Sequence, residues 1–237
     1  MTGDETKSTI LSQELLLSLA EELKLPLIQI ARRAEQAGLS SEADLKPIQV
    51  SADSALRLID SYALGVRLAT QPENFELEPV SISSVLYDVG QQLDALAKSY
   101  GVALELNVAG RFAPVIAHRQ GLQAALTSLG ATLVEALPAQ EYSQLSLQLA
   151  THRSRYGIVA GLYADTRQLA GDVLKRGRHL QRRSRQPLVT ISHSNGAGVF
   201  VADAILKAMG LELITSRHQH LHGLGTVLKS NNQLQLV

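Results

Sequence analysis

The chain has 237 residues, 45% of them hydrophobic and 4% aromatic with no tryptophan, which suits one large or two small domains with a core built from Leu, Val, Ile and Ala. Lys+Arg and Asp+Glu both number 22, so the net charge is zero, and neither nucleic-acid wrapping nor a polybasic membrane anchor is expected as the main task. The absence of cysteine excludes disulfides and thiol chemistry. With the polar, acidic start MTGDETKSTI and no run of about 18 apolar residues, the expectation is a soluble cytoplasmic protein with no membrane partner.

The stretch from Glu14 to Gln36 reads as one helix. Its apolar positions Leu16, Leu19, Leu23, Leu27, Ile30 and Ala34 are spaced 3 or 4 apart, the period that lays one stripe along a helix. Pro26 falls inside it, where proline removes a backbone donor and kinks the helix. Gly38 is a helix stop, and Ser41 or Asp44 caps the next helix. That second helix carries a seam at Leu45, Ile48, Ala52, Ala55, Ile59, Tyr62, Val66 and Ala69. Residues 8–70 therefore form a helical hairpin. Two helices bury little alone, so pairing with a second copy into a four-helix bundle is expected.

Residues 70–74, TQPEN, form a linker, and the texture changes after it. A short strand ends at Val80. A helix follows with Val85, Leu86, Val89, Leu93, Leu96 and Tyr100 inward, stopped by Gly101. Strands are expected over 102–108 and 114–118, then a helix from Arg119 to Leu137. Two β-like runs, 144–152 and 155–165, are close enough to pair as a hairpin. A short helix over 166–176, a polar loop over 177–196, a helix from Val199 to Met209 and strands over 211–216, 225–230 and 233–237 complete the chain. The order predicts an α+β domain over 75–237: a mixed sheet with helices on one face.

Within the first helix the string Glu21-Glu22-Leu23-Lys24-Leu25-Pro26-Leu27 resembles the phosphoacceptor box of two-component sensor histidine kinases, His-Glu-Leu-Arg-Thr-Pro-Leu. The later element order resembles the ATP-binding domain of those kinases and of the wider GHKL ATPases. The resemblance implies a dimerisation hairpin followed by an α/β sandwich of the histidine-kinase ATPase type, running from about residue 10 to the C-terminus. Residue by residue, it also implies a degenerate site. Glu21 stands where the family has its phosphoacceptor histidine, Glu22 matches the neighbouring acid, and Leu25 replaces the Thr or Asn that positions water.

On the helix from Arg119, Thr132 takes the place of the Mg²⁺-binding Asn, and Glu135 that of a Lys or Arg that reaches phosphate. A hydroxyl is a weak Mg²⁺ ligand, and a carboxylate has the wrong sign beside a triphosphate. Asp165 matches the adenine-binding Asp of Asp-x-Gly-x-Gly, but Arg167 and Leu169 stand where the glycines would let a nucleotide approach. Gly196 and Gly198 resemble the phosphate-cradling pair that precedes the last helix, set against the ordinary role of Gly-x-Gly as a turn. Gly223-Leu224-Gly225-Thr226 matches the Gly-x-Gly-Thr before a late strand.

The resemblance thus implies a non-catalytic signalling module. It would dimerise through the hairpin and dock a response regulator, a phosphotransfer protein or a histidine kinase near Glu21, with no nucleic-acid partner. No cofactor is expected; ATP and Mg²⁺ enter only if the site still functions, which would make the chain a divergent kinase or phosphotransferase. A third reading is a small-ligand or anion sensor that reuses the former nucleotide pocket.

Basic residues crowd 175–185, where the family has a lid; the competing reading is a solvated loop. His218, His220 and His222 alternate, so on a strand they would share a face and could hold a transition metal. No carboxylate shares that spacing, and the triplet falls at an expected strand-to-turn junction. His118 and His193 read as ordinary polar residues.

Overall fold

The structure, a computed structural model, describes residues 23, 27–30, 32, 34, 46–70, 76–108, 112–137, 145–165 and 197–229. The expected helix over 166–176, the loop over 177–196 with its basic run, and the strand over 233–237 lie outside the described residues, as do Pro26 and Gly38. Leu23, residues 27–30, Arg32 and Ala34 are helical. They precede α1 (Lys46–Thr70), β1 (Glu78–Val80), α2 (Ile82–Ser99), β2 (Ala103–Val108), β3 (Val115–Ala117) and α3 (Arg119–Ala136). Then come β4 (Ser146–Ser154), β5 (Gly157–Ala164), α4 (Ala197–Ala208), β6 (Leu213–His218) and β7 (Leu221–Leu228).

Five strands form one sheet in the order β2-β4-β5-β7-β6, and β1 pairs with β3 in a small antiparallel ribbon. Among the described strands of the larger sheet, β2 and β4 pair in parallel and the other pairings are antiparallel, because α3 carries the chain across between β2 and β4. Helices α2, α3 and α4 supply the other half of the core. On α2 the buried stripe is Val85, Leu86, Val89, Leu93 and Leu96, and on α3 it includes Leu122, Leu126, Leu129 and Leu133. Leu147, Leu149, Ala160, Leu162 and Leu224 meet them from the sheet. His118 caps α3, its Nδ1 accepting from the Gly121 amide at 3.0 Å. From the first turn of α3, Arg119 reaches Asp88 and Ser84 of α2, each at 2.8 Å.

Helix α4 is buried on every side from Val199 to Leu206, the pattern of a helix enclosed within a domain. Its outer side is covered by α1, giving three layers: the sheet, then α2, α3 and α4, then α1. The covered face of α1 carries the small buried residues Ser51, Ala55, Ser61 and Gly65. Small side chains let helix axes approach closely, and a Cβ on Gly65 would lie 3.4 Å from Ile205 Cγ1. Gln29 helps tie the layers together, donating to the Tyr100 hydroxyl at 3.2 Å and accepting from Ser51 at 3.3 Å.

The expected seam of the second helix is therefore divided. Ala55 is buried against the domain, whereas Ile59 is 40% exposed. Leu27, Ile28 and Leu56 are also exposed. No helix among the described residues is long and apolar enough to cross a membrane.

The last two strands differ from expectation in register. The sequence reading places a turn near Gly223, but the chain turns at Gln219–His220, with Gln219 at φ 55°. Gly223 and Gly225 instead lie inside β7, opposite Tyr163 and Gly161 of β5. Their place is set by close approach: a Cβ on Gly223 would collide with the Leu162 carbonyl, and one on Gly225 would lie 2.7 Å from the Ala160 carbonyl oxygen.

Candidate functional site

Of the residues that the family resemblance singles out, Thr132, Asp165 and Gly198 are described, while Glu21, Glu22 and Gly196 lie outside the described residues. Thr132 sits on the side of α3 that faces α4. It is buried at 2% exposure, and its Oγ1 donates to the Ser128 carbonyl of the preceding turn at 3.1 Å. Gly198 is the second residue of α4 and packs on this same spot. A Cβ there would collide with Thr132 Oγ1 and lie 2.8 Å from the Ser128 carbonyl oxygen. Two of the singled-out positions thus meet, and they meet in helix-to-helix contact. Asp165 follows the last residue of β5 and is exposed.

The interior around these helices keeps several polar atoms without hydrogen-bond partners. Ser128 Oγ on α3, Asp203 Oδ1 on α4, Thr151 Oγ1 on β4 and Thr226 Oγ1 on β7 are all buried in this way. Thr226 is the Thr of the Gly-x-Gly-Thr string. It pairs across to Ala160, which pairs in turn with Thr151, so both hydroxyls lie on the helix side of the sheet. Asp203 is anchored through its other oxygen by Lys207, one turn on, at 2.5 Å. An aspartate in the otherwise apolar run from Val199 to Leu206 was the available signal for this polar spot.

A second cluster lies on the opposite face of the sheet. His152 of β4, Tyr163 of β5 and His218 of β6 bring their rings within 5.4–6.0 Å of one another, centre to centre. Tyr163 donates to Ser216 at 3.4 Å, and Asn107 of β2 lies 3.3 Å from His218 Nε2.

Burial pushes the Tyr163 hydroxyl up to about 12, against the pull of Ser216. Burial also lowers His218 from the ordinary histidine range. His152 is lowered by burial and then by the neighbouring His218. The hairpin turn separates the three alternating histidines. His218 joins this cluster, His220 is exposed in the turn, and His222 follows the alternation of Leu224 onto the helix side. Among the described residues, no group of three or more His, Cys, Asp or Glu is arranged to hold a metal ion.

These shifts fix the sign of a pH effect. A histidine whose folded pKa is depressed stays neutral while the unfolded chain takes up a proton, so stability falls as pH drops through about 6.5 and levels off below the folded value. Melting temperature is expected to fall between pH 7.5 and 5.5. The fall should be smaller when His152 and His218 are both replaced by glutamine. Equal slopes in the two proteins would contradict this account.

No protein-family model matches the chain, and no curated protein does. Solved structures do. Histidine kinase ThkA in complex with response regulator protein TrrA superposes with a TM-score of 0.56 at 12% identity, over 97% of this chain and 65% of that one. Full-length ShkA in complex with AMPPNP gives 0.53 at 16% identity, over 92% and 46%. The Acinetobacter baumannii histidine kinase AdeS gives 0.52 at 14% identity, over 89% and 98%. The fold is that of a histidine-kinase core. Because these matches span nine-tenths of this chain, the kinase-core likeness includes helix α1 as well as the sheet domain. The identities are low enough that the likeness concerns fold alone, and the chemistry has to be argued from this chain's own residues.

Proposed function

We propose that this chain is a signalling module of a two-component pathway that keeps the histidine-kinase fold without its phosphoryl-transfer chemistry. The observation that carries the reading is the contact of Gly198 with Thr132 and Ser128. In the family resemblance these positions would serve the metal and the phosphates. Here Thr132 spends its proton on the Ser128 carbonyl and lies under Gly198. A single hydroxyl at 2% exposure is a poor match for Mg²⁺, which binds through several near-octahedral oxygen ligands and retained waters. Arg167 and Leu169 in place of glycines, and Glu21 in place of histidine, support the same reading from the sequence.

The role that remains is docking. ThkA is captured with a response regulator, and a partner of that kind, a phosphotransfer protein or a kinase is proposed for the hairpin of this chain. The exposed Leu27, Ile28, Leu56 and Ile59 supply apolar surface for pairing two hairpins into a four-helix bundle. Incubation with γ-labelled Mg-ATP tests the reading. The expected result is no label on the protein; acid-labile phosphate on the chain would overturn it.

A further inference from the structure

Between α1 and the α2–α3 pair lies a cavity of about 270 Å³ that the docking role leaves unused. Arg57 and Ser61 line it from α1, Gln92 from α2, and Gln120, Gln123 and Thr127 from α3. On α1 and α3 the lining residues recur three to four apart, so they form the facing stripes of packed helices. Such stripes are ordinarily filled by Leu, Ile or Ala; here Leu64 and Ala124 share the lining with a guanidinium, a carboxylate, hydroxyls and three amides. The volume falls just below the roughly 300–1,000 Å³ usual for ligand pockets, which suits a metabolite smaller than a nucleotide.

Arg57 is the cation among these lining residues. Its Nη2 is shielded from solvent and has no hydrogen-bond partner, an expensive state for a charged donor that a turn of the side chain toward a ligand in the cavity would relieve. A planar carboxylate matches the guanidinium fork. Thr127 donates to Gln92 Oε1 at 2.9 Å, which turns the Gln92 amide so that its NH₂ group remains available as a donor. Asp60 also borders the cavity and supplies an anionic acceptor one helical turn from Arg57. A phosphate dianion would meet one cation and one repelling carboxylate here. A zwitterion balances both, its carboxylate on Arg57 and its ammonium on Asp60, with the glutamine amides left for a polar side chain.

We propose that this cavity binds a small zwitterionic amino acid. The ligand would bridge the hairpin helix to the sheet domain, so its occupancy would tighten the α1 contact. The site shares no residue with Thr132, Asp165 or Gly198, and it stands whether or not nucleotide binds elsewhere.

The test is a thermal-shift screen of the full chain with each of the twenty standard amino acids at 10 mM, with sodium acetate and inorganic phosphate as separate arms. At about a hundred times its Kd, a ligand should raise the melting temperature by about 5–10 °C. The carboxamide of the best amino acid should give no shift, and Arg57→Gln should abolish the shift of the parent. Asp60→Asn, at an exposed position that cannot endanger the fold, should weaken binding about tenfold. The proposal is overturned if no amino acid shifts the melt, if acetate or phosphate alone does as well, or if the shift survives both substitutions.

Discussion

Gly198→Val should lower the unfolding free energy by about 3 kcal/mol, the upper part of the usual cost of overpacking a close contact. For a chain of this size that is a fall of about 6–12 °C in melting temperature. The new side chain would enter the space held by Thr132 Oγ1 and the Ser128 carbonyl. The second of these is backbone, which no rotamer change can move aside. Gly198→Ala combined with Thr132→Ala should recover part of the loss, since it removes one obstacle and leaves the other. A glycine at the rim of an open phosphate site would behave differently: its substitution would leave the melt unchanged. Thermal melts of the three proteins therefore separate a packing glycine from a ligand-binding one.

A larger effect is expected at Gly223. Replacing it with alanine should cost about 4 kcal/mol or more, in the range kept for severe disruption, and leave little folded protein. The added Cβ would overlap the Leu162 carbonyl, and both partners belong to paired central strands. Relief would require β5 and β7 to part, and with them the core around Leu162 and Leu224. A circular-dichroism melt within about 2 °C of the parent, no more than the 2–4 °C that even one kcal/mol moves a protein of this size, would contradict this assignment.

These two glycines show what the sequence could and could not disclose. Their presence in family-like strings was legible and pointed to the right fold. What each does was not, because it depends on a strand or helix remote in the chain. The stripes of α2 and α3 were readable from spacing alone, since a helix buried on one side has to repeat its leucines and valines every three to four residues. The docked face of α1 escaped the same reading. Ala55 falls within the expected seam, but Ser51, Ser61 and Gly65 are too small or polar to register as hydrophobic. Small size is nonetheless what close packing requires, as Gly65 shows against Ile205 of α4.

The His152–Tyr163–His218 cluster escaped for another reason. Its members come from β4, β5 and β6, and Asn107 joins from β2, 111 residues away from His218. Only the sheet topology brings them together. The turn at Gln219–His220 was missed because glycine is the usual marker of a turn, and here the nearby glycines serve strand contact instead. In the same way His118, which reads as an ordinary polar residue, proves to be the cap of α3, a place more often taken by Ser, Thr, Asp or Asn.

The site residues were found as positions before they could be found as chemistry. Thr132 and Gly198 were singled out by alignment to a motif, and the structure sets them against each other on neighbouring helices. Their contact is what turns a list of substitutions into a physical argument about phosphoryl transfer. A weak ligand beside an open cleft could still bind metal. The same hydroxyl is 2% exposed and packed under Gly198, and on that burial the proposed loss of metal binding rests.

Calorimetric titration with Mg-ATP, alongside ADP without metal, tests this account most directly. The account predicts no heat of binding up to millimolar nucleotide in either titration. Saturable binding at micromolar Mg-ATP, lost in Gly198→Val protein that remains folded, would contradict it and return the chain to the working kinases.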